Sequence, residues 1–284
     1  MGMTLERSSI LRPAHLLIRI GVRYSVAAMR NLALVLSVLL SSLASAQSLN
    51  PSHMVDLTYA FNQETVYWPN GKNFQYKRTI WGPTEAGYWY AAGEFSCAEH
   101  GGTHLDSPIH FAEGHWTVDQ IPVQRLAGPL AVIDVSAAAG KDRDFRATPQ
   151  DVLAWEKTHG KITPGMIVVF HTGWGRYWPD HKQYLGSDVP GDVDHLHFPG
   201  IAQETAQLLV DRHVVGVGID TASLDRGSEK NALAHRMVLK NNVYILENVA
   251  NLEGVPAKGA NLIALPMKIG GGSGAPVRII AVLP

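Results

Sequence analysis

The sequence predicts an α/β domain, and three observations support that class. First, five short segments are rich in β-branched residues, as buried strands are; they are 131–135, 166–170, 214–219, 243–246 and 277–283. Second, helical patterns lie between several of these segments. Third, glycine and proline residues mark the boundaries between these segments. Strands that alternate with helices in this way are typical of an α/β architecture.

Three segments between the strands have helical patterns. Segment 148–155 begins with Thr148 at an N-cap position and Pro149 at the first helical position. Segment 231–239 is a shorter candidate. Segment 201–212 carries apolar residues at helical spacing, namely Ala202, Ala206, Leu209 and Val210.

Residues 173–199 form a long connection that is rich in Trp, Tyr, His and Asp. A long aromatic loop on a compact domain predicts a lid over a site or an oligomer contact. A solvated insertion is the alternative, and the sequence favours neither over the other.

The first 46 residues are typical of a targeting segment. An apolar run at 31–40 follows Arg30 and is short for a bilayer span. It is followed by Ala44-Ser45-Ala46, small residues of the kind that signal peptidase accepts. We therefore predict a signal peptide over 1–46 with cleavage after Ala46, a single mature domain over 47–284, and a secreted or periplasmic location.

Other interpretations of this segment stay open. A buried core helix or a retained membrane anchor would also contain an apolar run. Met29 could be the true start, because 29–46 is a complete signal by itself. Four arginines and one glutamate in 1–28 would also suit an organelle-targeting presequence.

Charge and cysteine content exclude some classes of partner and scaffold. Removing residues 1–46, which contain five arginines and one glutamate, changes the net charge from −1 to −5. Affinity for nucleic acid depends on clustered Lys and Arg, so we expect no nucleic-acid partner. We also expect no membrane contact once the signal is removed. Cys97 is the only cysteine, which excludes an internal disulfide, and we interpret it as a small buried apolar residue.

Four metal-ligating or proton-carrying residues fall within one short segment: His100, His104, Asp106 and His110. All have even numbers, so in an extended chain they would project to the same face. Gly101, Gly102 and Pro108 disfavour a helix here, which makes extended or looping backbone the better interpretation.

Gathering three imidazoles and a carboxylate costs desolvation free energy unless a cation lies among them. Imidazole with carboxylate suits Zn²⁺ or Mn²⁺ better than Ca²⁺ or Mg²⁺. Downstream, His235 falls in a predicted helix and Glu247 ends a predicted strand. By spacing alone, this second pair could be either a site or solvated surface.

The pattern His100-x-Gly-Thr-His104-x-Asp106-x-Pro-x-His110 resembles the signature of the cyclase-type metal hydrolases, a family that includes bacterial kynurenine formamidase and isatin hydrolase. The resemblance covers nearly all of the mature chain. It includes Asp56-Leu-Thr, Trp68-Pro, 218–221, 247–252 and the closing stretch 257–284.

The resemblance implies a swivelling β/α/β fold with a β-barrel-like core and a metal site between sheet and loops. It implies that His100, His104 and Asp106 bind metal and that His110 transfers protons. It further implies that His235 and Glu247 complete a second position bridged by Asp106, giving two ions of Zn²⁺ or Mn²⁺ per chain. Relatives of this kind are dimers or tetramers, so a homo-oligomer is expected.

The expected substrate is a small aromatic amide. A bound ion would lower the pKa of water from about 15.7 toward about 7 and polarise the carbonyl. Apolar walls for a flat substrate could come from Trp68, Tyr88 and Trp89, although each could equally be ordinary core.

Three functional hypotheses stay open from the sequence. The first is an arylformamidase that converts N-formylkynurenine to kynurenine and formate in tryptophan catabolism. The second is an isatin-type opening of a cyclic amide or lactone. The third is a secreted metal- or ligand-binding protein without turnover, against which the intact His110 argues, because binding a metal needs no additional base.

Overall fold

The structure is a computed structural model that describes residues 50–284. The predicted signal peptide over 1–46 lies outside the described residues. The twelve strands within these described residues are β1 Met54–Asp56, β2 Gln75–Pro83, β3 Trp89–Ser96, β4 His104–Asp106, β5 Ala127–Asp134, β6 Arg146–Ala147, β7 Ile167–His171, β8 Gly200–Ile201, β9 Gly216–Ile219, β10 Tyr244–Glu247, β11 Lys258–Pro266 and β12 Gly274–Val282. The α-helices are α1 Ser136–Ala139, α2 Pro149–His159, α3 His181–Leu185, α4 Gln203–Asp211 and α5 Leu233–Leu239.

Seven strands close into a barrel in the order β12-β11-β5-β7-β9-β10-β4. Closure depends on β4, which pairs antiparallel with β10 on one side and with β12 on the other. Strands β5, β7, β9 and β10 run parallel, and β1 adds to the outside edge of β12. The α/β class that the sequence predicts and the barrel-like core that the family resemblance implies are therefore confirmed.

Alternation along the strands produces two apolar layers. In β5, Leu130 and Val132 face the barrel interior, whereas Ala131 and Ile133 face the helices on its outside. Each fully buried aliphatic or aromatic side chain contributes ~1.5–3 kcal/mol to folding. The five predicted strand segments all overlap observed strands. Four of them are buried parallel strands, which are continuous apolar runs, and segment 277–283 lies in the antiparallel strand β12.

Helix α2 begins where the sequence predicts a helix start. The carboxylate of Asp151 accepts the backbone N–H of Thr148 at 2.7 Å, and Pro149 occupies the first helical turn. The helix ends at Gly160, whose φ of 88° favours glycine. The other two predicted helices are observed as α4 and α5, with α2 and α4 covering the outside of the parallel strands.

The aromatic connection 173–199 is packed against the body of the protein. Trp174, Tyr184 and Phe198 are buried in a third apolar cluster with Val66. The ring of Trp68 meets Phe198 edge-on at 6.2 Å between centroids. The aromatic part of this connection is therefore not a solvated insertion, and that alternative is wrong for it. Its buried rings pack against the segment that carries Trp68.

Strands β2 and β3 form a separate hairpin that pairs with no other described strand. Most of its residues are exposed on both faces. The exposed large apolar side chains of this arm are Tyr76, Ile80, Trp81, Tyr88, Trp89, Tyr90 and Phe95. Among residues 50–284, no helix combines the length and the apolar character that crossing a bilayer requires.

Candidate active site

Strand β4 presents the central donors. His104 and Asp106 project to one face of this strand, and Leu105 between them is buried in the barrel interior. Glu247, the last residue of β10, is the register partner of His104. His104 and Asp106 therefore share one face, as side-chain alternation in an extended chain predicts. The neighbouring strand β10 adds Glu247 as the second carboxylate.

The two glycines of the motif permit a close approach of backbone to the site. Gly102 has a φ of 58°, and a Cβ there would fall 2.7 Å from the ring of Phe61. Its carbonyl accepts hydrogen bonds from the Asn248 amide at 2.7 Å and is 2.9 Å from Nδ1 of His104. A Cβ at Gly101 would overlap the ring of Tyr67. Larger residues would displace the backbone that orients His104.

Two buried carboxylates join three imidazoles in one cluster. Oδ1 of Asp106 lies 2.6 Å from Nδ1 of His100 and 3.2 Å from Nε2 of His104. Oδ2 of Asp106 lies 3.3 Å from Nε2 of His235. Glu247 repeats this bridging, with oxygens 3.4 Å from Nε2 of His104 and 3.0 Å from Nε2 of His235. The structure therefore brings together all five residues that the sequence nominated as metal ligands.

This donor set fits divalent cations. Imidazole nitrogens and carboxylate oxygens are the ligands that Zn²⁺ and Mn²⁺ take, and a carboxylate with one oxygen toward each of two nitrogen groups can bridge two ions. Ligand atoms of His104, Asp106 and Glu247 lie within 4.8 Å of one another, as do those of His100, Asp106 and His110. Both groups contain Asp106, so it is the donor that two adjacent positions would share.

The imidazoles of His104 and His235 are held by hydrogen bonds on the side away from the carboxylates. Nδ1 of His235 lies 2.7 Å from the carboxylate of Asp225, which also accepts the backbone N–H of Ala234 at 2.8 Å. The carbonyl of Gly102 plays this part for His104. Such outer partners fix ring orientation and leave Nε2 of both rings free to bind an ion.

The charged groups of this cluster strongly shift one another's pKa values. Burial lowers the pKa of His104, but the Asp106 and Glu247 carboxylates outweigh it and raise that pKa to about 9. Burial raises the pKa of Asp106, yet His100 and His104 hold it well below its usual range. Positive charge among these carboxylates is therefore strongly favoured, and a bound divalent ion would supply it in place of protons.

His110 differs from the other histidines. Its ring stacks on His100 with 3.8 Å between centroids and 19° between planes, and it meets Phe111 at 4.5 Å. Burial, together with the neighbouring imidazoles, lowers the pKa of His110 to about 4 against the opposing effect of Asp106. At neutral pH the ring is uncharged and able to accept a proton.

A cavity of about 500 Å³ opens above the cluster. Trp68 and Phe111 contribute apolar wall, and Arg226, Glu229 and Lys230 contribute charge. Of the three aromatic residues nominated as pocket walls, Trp68 lines this cavity. The other two, Tyr88 and Trp89, do not: they are 61% and 63% exposed, because they lie on the β2–β3 hairpin that projects from the barrel.

The sequence interpretation missed several residues at this site. Asp225 holds His235, and Phe111 contacts the rings of His110 and His235. Asp225 precedes His235 by ten residues, which no helical or strand period connects. Phe111 directly follows the motif and could have been nominated as an aromatic wall.

Comparisons with known proteins assign the family. Residues 55–226 match the Cyclase family, described as "Putative cyclase". The isatin hydrolase of Roseibium aggregatum is 36% identical over 211 residues, which cover 72% of this chain and 77% of that protein. The kynurenine formamidase of Bacillus cereus is 27% identical over 234 residues, which cover 81% of this chain and 97% of that protein. The chain belongs to the cyclase family.

Solved structures agree with this assignment. An isatin hydrolase bound to the product analogue thioisatinate superposes with a TM-score of 0.75 at 30% identity, covering 90% of this chain and 99% of that chain. A structure described as a potential metal-dependent hydrolase with cyclase activity superposes with a TM-score of 0.58 at 26% identity, covering 80% of this chain and 96% of that chain. The protein is therefore a metal-dependent hydrolase of the cyclase family.

Proposed function

We propose that this protein hydrolyses the carbon–nitrogen bond of a small aromatic amide. The observation that carries the proposal is the cavity itself, in which aromatic walls stand over a buried cluster of three imidazoles and two carboxylates. Opening of a cyclic amide of the isatin type is the favoured reaction, since the isatin hydrolase relative has 36% identity against 27% for the formamidase.

The second candidate reaction is the conversion of N-formylkynurenine to kynurenine and formate. Glu247 favours it, because its oxygens lie within 3.4 Å of both His104 and His235 and would complete a second metal position. The charged set of Arg226, Glu229 and Lys230 at the cavity also offers partners for an amino-acid substrate. The substrates of both candidate reactions are aromatic amides, and they differ in whether the scissile carbon–nitrogen bond is part of a ring.

For the reaction, we propose two ions of Zn²⁺ or Mn²⁺ per chain. His100, His104 and Asp106 would hold one, and Asp106, His235 and Glu247 the other. When bound, such ions acidify water and polarise the scissile carbonyl. Trp68 and Phe111 would orient the flat ring of the substrate and exclude bulk water from the reacting carbonyl.

His110 would move the proton. Its neutral ring accepts a proton from the attacking water and returns it to the nitrogen that leaves, so that no charge has to develop on the departing amine. The stacking on His100 holds the imidazole beside the cluster. A positioned acid–base group of this kind contributes ~10²–10⁴-fold to rate.

The test is turnover of a substrate panel by the metal-loaded protein. Isatin, N-formylkynurenine and a simple anilide separate the cyclic, formyl and general amide classes. Highest kcat/KM for isatin supports the favoured reaction, whereas highest kcat/KM for N-formylkynurenine replaces it with the second. Absence of turnover on every substrate with metal bound would refute the enzyme proposal and favour a binding protein.

We also propose that the chain works as a homodimer, with the β2–β3 hairpin as its contact. A lone two-stranded hairpin is marginally stable in water, and this one leaves seven large apolar side chains about half exposed. At 150–250 Å² per aromatic side chain, they offer on the order of 700 Å² per copy. Two hairpins thus approach the ~1,600 Å² that a stable interface buries.

The hairpin also begins and ends at the cavity. Asn70 and Gly71 before it and Ala98 and His100 after it line the cavity wall. A second copy seated near the ends of the hairpin would lie beside the cavity, and in that arrangement its own Tyr88 and Trp89 would contact the substrate of the first copy.

We also propose that the chain is exported and that its signal peptide is cleaved after Ala46. N-terminal sequencing of the protein from the native host should then begin at Gln47.

A further inference from the structure

A glycine-rich segment, 270–274, lies beside the motif strand and reads Gly-Gly-Gly-Ser-Gly. Gly274 pairs with Asp106 in the β12–β4 ladder. A Cβ at Gly274 would fall 2.6 Å from Cε1 of His100 and 2.7 Å from the carbonyl oxygen of Leu105. The carbonyl of Ser273 accepts the N–H of Ser107 at 2.9 Å. The absence of side chains here allows Ser273 to reach the ring of His100.

Three groups then form a chain of hydrogen bonds that ends on His100. Oγ of Ser273 lies 2.8 Å from Nε2 of His100 and donates to the carboxylate of Glu99 at 2.5 Å. The backbone N–H of Ser273 donates to the same Glu99 oxygen at 3.0 Å. None of these contacts is used by the proton transfer assigned to His110.

The direction of these hydrogen bonds fixes the tautomer of His100. A serine hydroxyl has one proton, and Ser273 donates it to the Glu99 carboxylate. Toward His100 the hydroxyl therefore accepts, which requires a proton on Nε2. The lone pair of the neutral ring is then on Nδ1, and this atom is the one that faces Asp106 at 2.6 Å.

We propose that Glu99 and Ser273 are positioning residues that make Nδ1 of His100 the atom that binds an ion. The inference rests on the metal site of the proposed function but not on its substrate. His100 would bind in the opposite sense to His104 and His235, whose Nδ1 atoms face Gly102 and Asp225 and whose Nε2 atoms face the carboxylates. Without this pair the ring could rotate or take the other tautomer, and a donor would be lost.

The experiment measures Zn²⁺ affinity by competition with a chromophoric chelator, in the wild-type protein and in Ser273→Ala. We expect one of the two ions to bind ~10–100-fold more weakly in the variant, because loss of an outer hydrogen bond to a ligating imidazole has this effect. The other ion should bind as before. Ser273→Thr keeps the hydroxyl and should restore the affinity, while Glu99→Gln should give an intermediate loss.

Asp119→Ala is the matched control. The Asp119 carboxylate accepts the N–H of Gly271 at 3.0 Å, so its removal loosens the same segment without touching His100. A second measurement, ¹⁵N-resolved NMR of the zinc-loaded protein, should show the His100 ring protonated at Nε2 and metal-bound through Nδ1. This spectroscopic signature would not change in a variant that only loosened the loop.

Several results would overturn the inference. Equal Zn²⁺ affinity in wild type and Ser273→Ala would do so, as would an equal loss in Asp119→Ala, or a His100 ring bound through Nε2. A wild-type protein that binds no Zn²⁺ would refute the metal site as well. Failure of the substrate panel with zinc bound refutes only the proposed reaction, because the affinity difference is measured without substrate.

Discussion

The division of roles between His110 and Asp106 can be tested by substitution to alanine. Asp106 supplies oxygens to both proposed metal positions, at 2.6 Å from His100 and 3.3 Å from His235, so Asp106→Ala should lose both ions and all activity. His110 contacts the cluster through ring stacking on His100. His110→Ala should therefore keep both ions.

The expected size of the His110 effect is the contribution of a positioned acid–base group, and its lowered pKa keeps the ring in the base form. With a pKa of about 4, the ring carries a proton in only about one molecule in 10³ at pH 7, so nearly all of the enzyme holds a competent base. Its loss should lower kcat by ~10²–10⁴-fold, which corresponds to about 3–5 kcal/mol of transition-state stabilisation.

The assay pairs elemental analysis with kcat on the best substrate of the panel. His115→Ala is the matched control, because this ring lies outside the cavity and contacts the backbone carbonyl of Lys240 at 2.9 Å. Equal metal loss in His110→Ala and Asp106→Ala would refute the division of roles. It would instead make His110 a ligand, which the close approach of its ring to His100 and Asp106 permits.

Three further predictions concern metal count, stability and assembly. Glu247→Ala should lower the metal count from two toward one, and an unchanged count by elemental analysis would refute the second position. Arg212 and Lys161 hold the pKa of Glu156 near 2 against its ordinary 4.5, so the ionised carboxylate stabilises the fold at neutral pH and this contribution is lost as the pH falls from 4.5 toward 2. Glu156→Gln should cost about 2–3 kcal/mol in urea unfolding at pH 7, with little difference from wild type at pH 2; an equal cost for the exposed Glu64→Gln would contradict this. Trp89→Ser should shift the protein from dimer toward monomer in analytical ultracentrifugation, and a wild-type monomer at high concentration would disprove the dimer.

Much of the fold could be predicted because the relevant signals are local. The buried strands are short β-branched runs, and the start of α2 is marked by Thr148 at the N-cap and Pro149 directly after it. The alternation of side chains in an extended chain also placed His104 and Asp106 on one face. These signals need only neighbours in sequence.

The remaining part of the site depends on tertiary structure. Asp225 and Ser273 contact His235 and His100, and Glu99 contacts Ser273, across separations that no sequence period connects. The pairing of Glu247 with His104 depends on the register between β10 and β4. Tyr88 and Trp89 were nominated from aromatic character alone, which cannot distinguish a cavity wall from an exposed hairpin.

Barrel closure by β4 has a consequence for the order of folding events. Thr103, just before this strand, bonds to Asn248 across 145 residues of sequence, and His100 bonds to Ser273 across 173. We expect such distant segments to meet late in folding, because closing a long loop between them has an entropic cost. We therefore expect the donors to be assembled when the barrel is nearly complete, and a metal bound at that stage would slow reopening of the whole barrel. Chelation should for this reason shorten the lifetime of the entire native domain and leave the early steps of refolding unchanged.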